Sequence, residues 1–172
     1  DTVSFGIILT EPDTLTLIAS VLNNVRCKDG SDGSATAAPT GGTAPYSYLW
    51  SNGATAQTPA NFSAGSYTVV VTDANGCQAD AAVVITEPAV EIQLYADVRN
   101  TSWCASNTGA IDLIVVNGVG TLVYNWSNGA STQDISGLAA GSYSVTVTDS
   151  LSCVAVLSNI TVGTAPTMTV SV

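Results

Sequence analysis

The stretch Tyr46-Ser47-Tyr48-Leu49-Trp50-Ser51-Asn52-Gly53-Ala54 returns once in this chain, as Leu122-Val123-Tyr124-Asn125-Trp126-Ser127-Asn128-Gly129-Ala130. In each copy three bulky residues fall on alternate positions: Tyr46, Tyr48 and Trp50, then Leu122, Tyr124 and Trp126. Side chains two apart share one face of a β-strand, so each copy predicts a strand with a single aromatic face. Asn-Gly follows directly, a pair that accepts the positive φ angles of a tight turn. Trp126 lies 76 residues after Trp50 (126 − 50 = 76). A repeat of that period points to tandem modules rather than one continuous core.

The rest of the chain keeps the period. Val3, Phe5, Ile7 and Leu9 alternate with small polar residues and end in Thr10-Glu11-Pro12, as Ala81, Val83 and Ile85 end in Thr86-Glu87-Pro88. Residues 1–12 therefore read as the last strand of a preceding repeat. Residues 13–88 form one full repeat and 89–165 a second. Residues 166–172, with Met168, Val170 and Val172 alternating, read as the first strand of a following repeat. Within the first repeat strands are predicted near 14–19, around Ala35, Ala37 and Pro39, along the aromatic stretch, near 57–62, and through Tyr67, Val69 and Val71. The loop Asp73-Ala74-Asn75-Gly76 then joins that strand to the last one. The second repeat matches through Ile111, Leu113 and Val115, and through Tyr143, Val145 and Val147.

About seven short strands per repeat, Gly and Asn turns and no helical period predict an all-β chain. A Trp on an inner strand and a Tyr opening the penultimate strand fit two tandem immunoglobulin-like β-sandwich modules, flanked by strands of adjacent repeats. The expected core is Tyr48, Trp50 and Tyr67 in one module and Tyr124, Trp126 and Tyr143 in the other.

Composition removes several classes of function. Charged residues make up 9% of the chain, against about a quarter in ordinary soluble domains, so the surface must be largely Thr, Ser, Asn and Gly. The net charge is −10 with three basic residues, which argues against nucleic acid and anionic membranes as partners. No apolar run reaches the roughly 18 residues of a membrane span, and no signal peptide opens the sequence. It reads as a mature piece of an exported protein. There is no histidine, the commonest general base and metal ligand. Glu11, Glu87 and Glu91 sit at module boundaries, and no serine has a partner base. No catalytic residue is nominated, and the chain is not read as an enzyme.

The order Cys, Asp-Gly-Ser, Gly-Gly-x-x-Pro-Tyr-x-Tyr-x-Trp-Ser-Asn-Gly, Ala-Gly-Ser-Tyr-x-Val-x-Val-Thr-Asp, Asn-Gly-Cys, Thr-Glu-Pro resembles the SprB repeat of giant bacterial cell-surface adhesins. Residues 27–88 carry nearly all of it and 104–162 a looser copy, which departs at Val119-Gly120-Thr121-Leu122 and Leu151-Ser152. The family is also similar to polycystic-kidney-disease-type immunoglobulin-like domains. The resemblance implies long arrays on the surface of gliding or filament-bearing bacteria, export by a type IX route, and a role in adhesion or motility without catalysis.

Cys77 recurs as Cys153, 76 residues on (153 − 77 = 76), and Cys27 as Cys104, 77 residues on (104 − 27 = 77). Zinc sites usually hold two cysteines within about four residues of each other. Here the nearest pair within a repeat is about fifty apart, so disulfides Cys27–Cys77 and Cys104–Cys153 are expected. Each would add about 4 kcal/mol in the chain-entropy account and implies an oxidising, extracellular location. No cofactor is required, but Asp29 and Asp32 are candidate calcium ligands in a turn, as are Asp73, Asp149 and the Glu11/Asp13 pair. The alternative is that each Asp caps its own turn. Trp103 is a candidate glycan platform or a packing residue. Asn61, Asn100, Asn125 and Asn159 open Asn-x-Ser/Thr motifs, and Thr2, Thr14 and Ser150 lie in triplets resembling a bacterial O-glycosylation site. Three roles follow: a stalk or filament segment partnered by neighbouring repeats, a carbohydrate- or protein-binding module using its loops, or a filament subunit that exchanges strands.

Overall fold

The computed structural model describes residues 13–102 and 107–164, and every helix or strand in them is a strand. The chain divides into two compact units between Glu87 and Pro88. The first holds β1 (Thr16–Asn23), β2 (Gly33–Thr40), β3 (Ser47–Trp50), β4 (Ala60–Phe62), β5 (Gly65–Thr72) and β6 (Gln78–Ile85). The second holds β7 (Gln93–Arg99), β8 (Gly109–Val116), β9 (Val123–Trp126), β10 (Ile135–Leu138), β11 (Gly141–Thr148) and β12 (Val154–Val162). Each unit has two three-stranded antiparallel sheets, ordered β1-β2-β4 and β3-β5-β6, then β7-β8-β10 and β9-β11-β12. Six strands per unit are thus described, where about seven were expected. Most of the path between β3 and β4 is turn and loop. The end strands expected at 1–12 and 166–172 lie outside the described residues.

The predicted strand phase sets which residues are buried. On β3, Tyr48 is half-buried and Trp50 buried, while Ser47 and Leu49 face out. On β5, Val69 and Val71 are buried and Tyr67 half-buried. Buried residues of both sheets form one cluster: Ala35, Ala37 and Phe62 from the first sheet, Trp50, Val69, Val71, Val83 and Ile85 from the second. Trp50 and Phe62 meet with ring centroids 5.6 Å apart and planes at 59°, and Phe62 stacks on Tyr67 at 4.4 Å. The second unit builds the same cluster around Trp126, with Leu138 at the end of β10 where the first has Phe62 at the end of β4. Tyr124 and Tyr143 pack at its edge, and Tyr48 and Tyr67 do so in the first unit.

The polar tips of these aromatic residues are satisfied locally. The Trp50 indole N–H donates to the Ala56 carbonyl at 3.0 Å, and that of Trp126 to Thr132 at 2.8 Å. The Tyr67 hydroxyl donates to Ser63 O and the Tyr143 hydroxyl to Ala139 O, both at 3.0 Å. Burial of a large ring with its donor paired keeps the hydrophobic gain and avoids an orphaned polar group.

Two features escape a reading of alternation. Strand β12 has nine residues where β6 has eight, and its ladder with β11 slips between Tyr143 and Val145. Asn159 sits at this irregularity with φ of 60°, a left-handed conformation that Asn tolerates better than most residues. Gly33 opens β2 inside the core. A Cβ there would lie 2.8 Å from both Ile85 Cγ2 and the Phe62 carbonyl.

Two stability outcomes follow. Trp50→Ala and Trp126→Ala each lower unfolding free energy by roughly 3–5 kcal/mol, the range for large aromatic deletions, read from urea denaturation. Gly33→Ala costs about 1–3 kcal/mol by overpacking, although alanine ordinarily suits a strand better than glycine. A neutral Gly33→Ala would mean that β2 and β6 can separate at that point without loss.

Candidate functional site

The described aspartates nominated from sequence sit at the two ends of a repeat. At the end where the chain enters the first unit, the Gly42 amide donates to the Asp13 carbonyl at 2.7 Å. The β5–β6 hairpin lies against the same loop. Asp73 is buried at its base and accepts from the backbone N–H groups of Thr43 (2.9 Å), Asn75 (2.9 Å) and Cys77 (2.8 Å). These donors, Thr43 foremost, hold the Asp73 carboxyl below the usual carboxylate range. Gly42 has φ of 65°, and a Cβ there would meet Asp73 Oδ2 at 2.8 Å, so a glycine lets the backbone approach the carboxylate. Asp149 repeats the arrangement in the second unit, accepting from Val119, Leu151 and Cys153.

At the exit end of the first unit the loop 24–32 is bound to the end of β6. The Val25 amide donates to Thr86 O, and Thr86 N–H to the Asn24 side chain, both at 2.9 Å. Glu87 accepts from Lys28 Nζ and from the Asp29 amide, both at 2.6 Å. Lys28 and then the Asp29 amide hold the Glu87 carboxyl below its ordinary range, and Glu87 in turn raises Lys28. The second unit keeps the backbone part of this clasp, with Thr101 donating to Gly163 O and Gly163 to the Asn100 side chain.

The expected pairing of Cys27 with Cys77 is not formed. Cys77 is an exposed free thiol, whereas Cys27 and Cys153 are each in a disulfide. The cause is topological. Cys77 precedes the first residue of β6, and the Cys27 loop is fastened to the residues that follow its last one. Eight strand residues at about 3.3 Å each span roughly 25 Å, far beyond the 7 Å or so that a disulfide allows between Cα atoms. Cys104 and Trp103 lie outside the described residues.

Asp29 and Asp32 share the exit loop but do not converge on an empty point. Asp32 accepts from the Arg26 backbone and pairs with its guanidinium, which lowers the Asp32 carboxyl pKa. Asp29 pairs with Lys28 at 3.0 Å. Asp73 and Asp149 spend their oxygens on backbone amides. Among the described residues no three His, Cys, Asp or Glu side chains gather as a metal site. Asp73 and Asp149 thus cap their own turns, while Asp29 and Asp32 are engaged in ion pairs. On the second unit, Asp134 lies close enough to Asp112 to raise the Asp112 carboxyl pKa, helped by Asp97, a cluster not anticipated from sequence.

Asn61, Asn100, Asn125, Asn159, Thr14 and Ser150 are all exposed, and Thr2 lies outside the described residues. Two are already engaged: the Asn100 side chain accepts from Gly163, and the Ser150 hydroxyl donates to Val119 O at 2.8 Å. Asn61 and Asn159 have positive φ, so their motifs also serve as backbone irregularities.

The Asp73 clamp generates a pH prediction. A carboxyl whose folded-state pKa is depressed stabilises the fold fully above its unfolded pKa, near pH 4, and loses that contribution as pH falls through the folded value. The wild-type melting temperature should therefore drop below about pH 4 more steeply than that of Asp73→Asn, which has no carboxyl to protonate. Parallel curves would remove Asp73 from the acid response.

No curated protein matches the chain. Residues 19–55, from the middle of β1 through the turn that follows Trp50, match the SprB repeat family.

Proposed function

We propose that this chain is a structural tandem-repeat segment, a stalk or filament portion, of a large extracellular bacterial adhesin that serves attachment or gliding. The observation that carries the reading is the path of the chain through a repeat. In the first unit it enters beside the β5–β6 hairpin and leaves at the far end of β6, beside the loop that carries Cys27. A module threaded from end to end can be joined to copies of itself without insertion or reversal. Tension applied between those ends runs along the strands and loads the ladders in shear, so many hydrogen bonds resist together.

Each repeat is read as an immunoglobulin-like sandwich that lacks one edge strand. Lettered in that way, β1, β2 and β4 are A, B and E, and β3, β5 and β6 are C, F and G. The buried Trp50 then stands on strand C, and Tyr67 near the start of strand F bonds to backbone four residues upstream, two marks of that architecture. The SprB match and the disulfide-bonded state of Cys27 and Cys153 support an extracellular setting. The proposed partners are neighbouring repeats. The residues at the ends of each repeat are organised to shape loops.

Single-molecule stretching of concatenated copies, paired with a glycan array probed with the chain itself, tests this reading. Repeated unfolding peaks of one contour length and no specific glycan signal are expected. Saturable binding to a defined glycan would transfer the function to the loops and make the chain a recognition module.

A further inference from the structure

We propose that Glu87 is an ionic latch that makes the exit of the first unit a fixed extension of β6, so that the chain leaves the unit without a freely turning residue. The inference rests on the tandem-repeat reading above and adds to it the side chain that stiffens the exit.

The ladder between β5 and β6 ends at Ile85, which pairs with Gly65. The two residues that follow are held from the side, by the loop 24–32 that joins β1 to β2 of the other sheet. Thr86 is fastened through its backbone, its carbonyl accepting from the Val25 amide and its amide donating to the Asn24 side chain. Glu87 is fastened through its carboxylate, which accepts from Lys28 Nζ and from the Asp29 amide. The Lys28 and Glu87 side chains are 32% and 21% exposed, so water and salt screen this pair less than an ion pair on the open surface. Pro88 comes next, with φ fixed by its ring, and it confines the residue before it to extended backbone. From Ile85 to Pro88 each residue is thus restrained in turn by the ladder, by backbone bonds, by the carboxylate and by the ring.

The loop that receives the carboxylate is itself braced, so it can serve as an anchor. The Gly30 amide donates to the Cys27 carbonyl at 3.0 Å, and Asp32 accepts from the Arg26 amide at 3.1 Å and pairs with its guanidinium. Val25 is buried in the core cluster, and a Cβ on Gly30 would lie 2.8 Å from Val25 Cγ1. The second unit shows what the latch adds. Val162 corresponds by register to Ile85, since each pairs with the first residue of the neighbouring strand. Gly163 keeps the two bonds of Thr86, to Thr101 and to the Asn100 side chain. Thr164 and Ala165 then stand where the first unit has Glu87 and Pro88, and they supply neither a carboxylate nor a ring. The ionic bond therefore belongs to the first exit alone, and Lys28, the only lysine of the chain, is committed to it.

The test is backbone relaxation and amide exchange by NMR on the full chain, comparing wild type with Glu87→Gln and Lys28→Met. In wild type the amide of residue 87 should be as ordered as β6, with an order parameter near 0.85. Glu87→Gln should lower it below about 0.6. The same variant should speed exchange of the Asp29 amide by about tenfold, the scale of one lost charged hydrogen bond. Lys28→Met should give a smaller loss, because the Asp29 bond survives. Both variants should leave β6 and the Thr101 amide unchanged, which separates a latch from general loosening of the fold. Wild type in about 1 M NaCl, where charges are screened beyond about 3 Å, should lose part of the order at residue 87 with no substitution at all. An order parameter that stays near 0.85 in Glu87→Gln, one that stays there in high salt, or a loss spread along β6 would each overturn the proposal. None of these readouts depends on stretching or glycan binding, so the latch can fail while the structural reading stands.

Discussion

Each repeat depends on one indole ring. Trp50 closes β3, where the chain must leave one sheet and travel back to the other. Its ring fills the space between the sheets beside Phe62, and its N–H fastens the loop that follows by bonding the Ala56 carbonyl. The same side chain therefore supplies core volume and fixes the crossing between layers. Trp126 does both in the second unit through Thr132. A Leu or Phe would fill part of the volume but leave the loop carbonyl without its partner, because neither side chain carries a donor.

A second constraint acts at the repeat ends. A small two-sheet unit has short ladders, and the loops that join them must be tied by something other than core. In the entry hairpin a buried carboxylate gathers three backbone amides, and in the exit loop Glu87 gathers an ammonium group and an amide. In a chain so poor in charge, several of its acids are engaged in closing loops. The free Cys77 also bears on mechanics. An internal bridge from Cys27 to Cys77 would have locked the residues between them against extension. With Cys77 free, the first unit resists tension through its ladders, core and loop clasps.

Strand phase was legible because a period of two leaves no ambiguity about faces: once Trp50 is inward, Tyr48 and Tyr46 follow, and Leu49 must be outward. The repeat was legible because Trp, Tyr and Cys recur at nearly fixed distances. Cysteine pairing was not, since equal spacing in two repeats says nothing about which loop lies at which end, and that depends on the direction of β6. The packing roles of Gly33 and Asp73 were not legible for a related reason. Asp and Gly signal turns in sequence whether they shape the turn or serve the packing beneath it. At Gly33 the missing Cβ makes room for Ile85, and at Asp73 the carboxylate serves three amides. The extra residue of β12 was hidden inside an Asn-x-Thr motif that invites a different interpretation.

The two copies also reveal which parts of a repeat are constrained, because each position has been filled twice. Inward positions keep their character. Ala79, Ala81, Val83 and Ile85 of β6 correspond by ladder register to Ala155, Leu157, Ile160 and Val162 of β12. Outward positions on the same strands do not. Gln78 corresponds to Val154, Asp80 to Val156 and Val84 to Thr161, while on the aromatic strand Ser47 corresponds to Val123 and Leu49 to Asn125. Val84, Leu49, Val123, Val154 and Val156 are among the most exposed apolar residues of the molecule, yet none has an apolar counterpart in the other copy. These strands therefore offer no apolar docking face common to both copies, whereas on the other sheet the exposed Ile18 corresponds by register to the exposed Tyr95. Exposed valines scattered in this way instead serve the strand itself, since branched side chains favour extended backbone. The carboxylate under the hairpin and the hairpin cysteine do recur in both units. The constraint therefore falls on the core and on the ends, as expected of a unit whose task is to be joined to others.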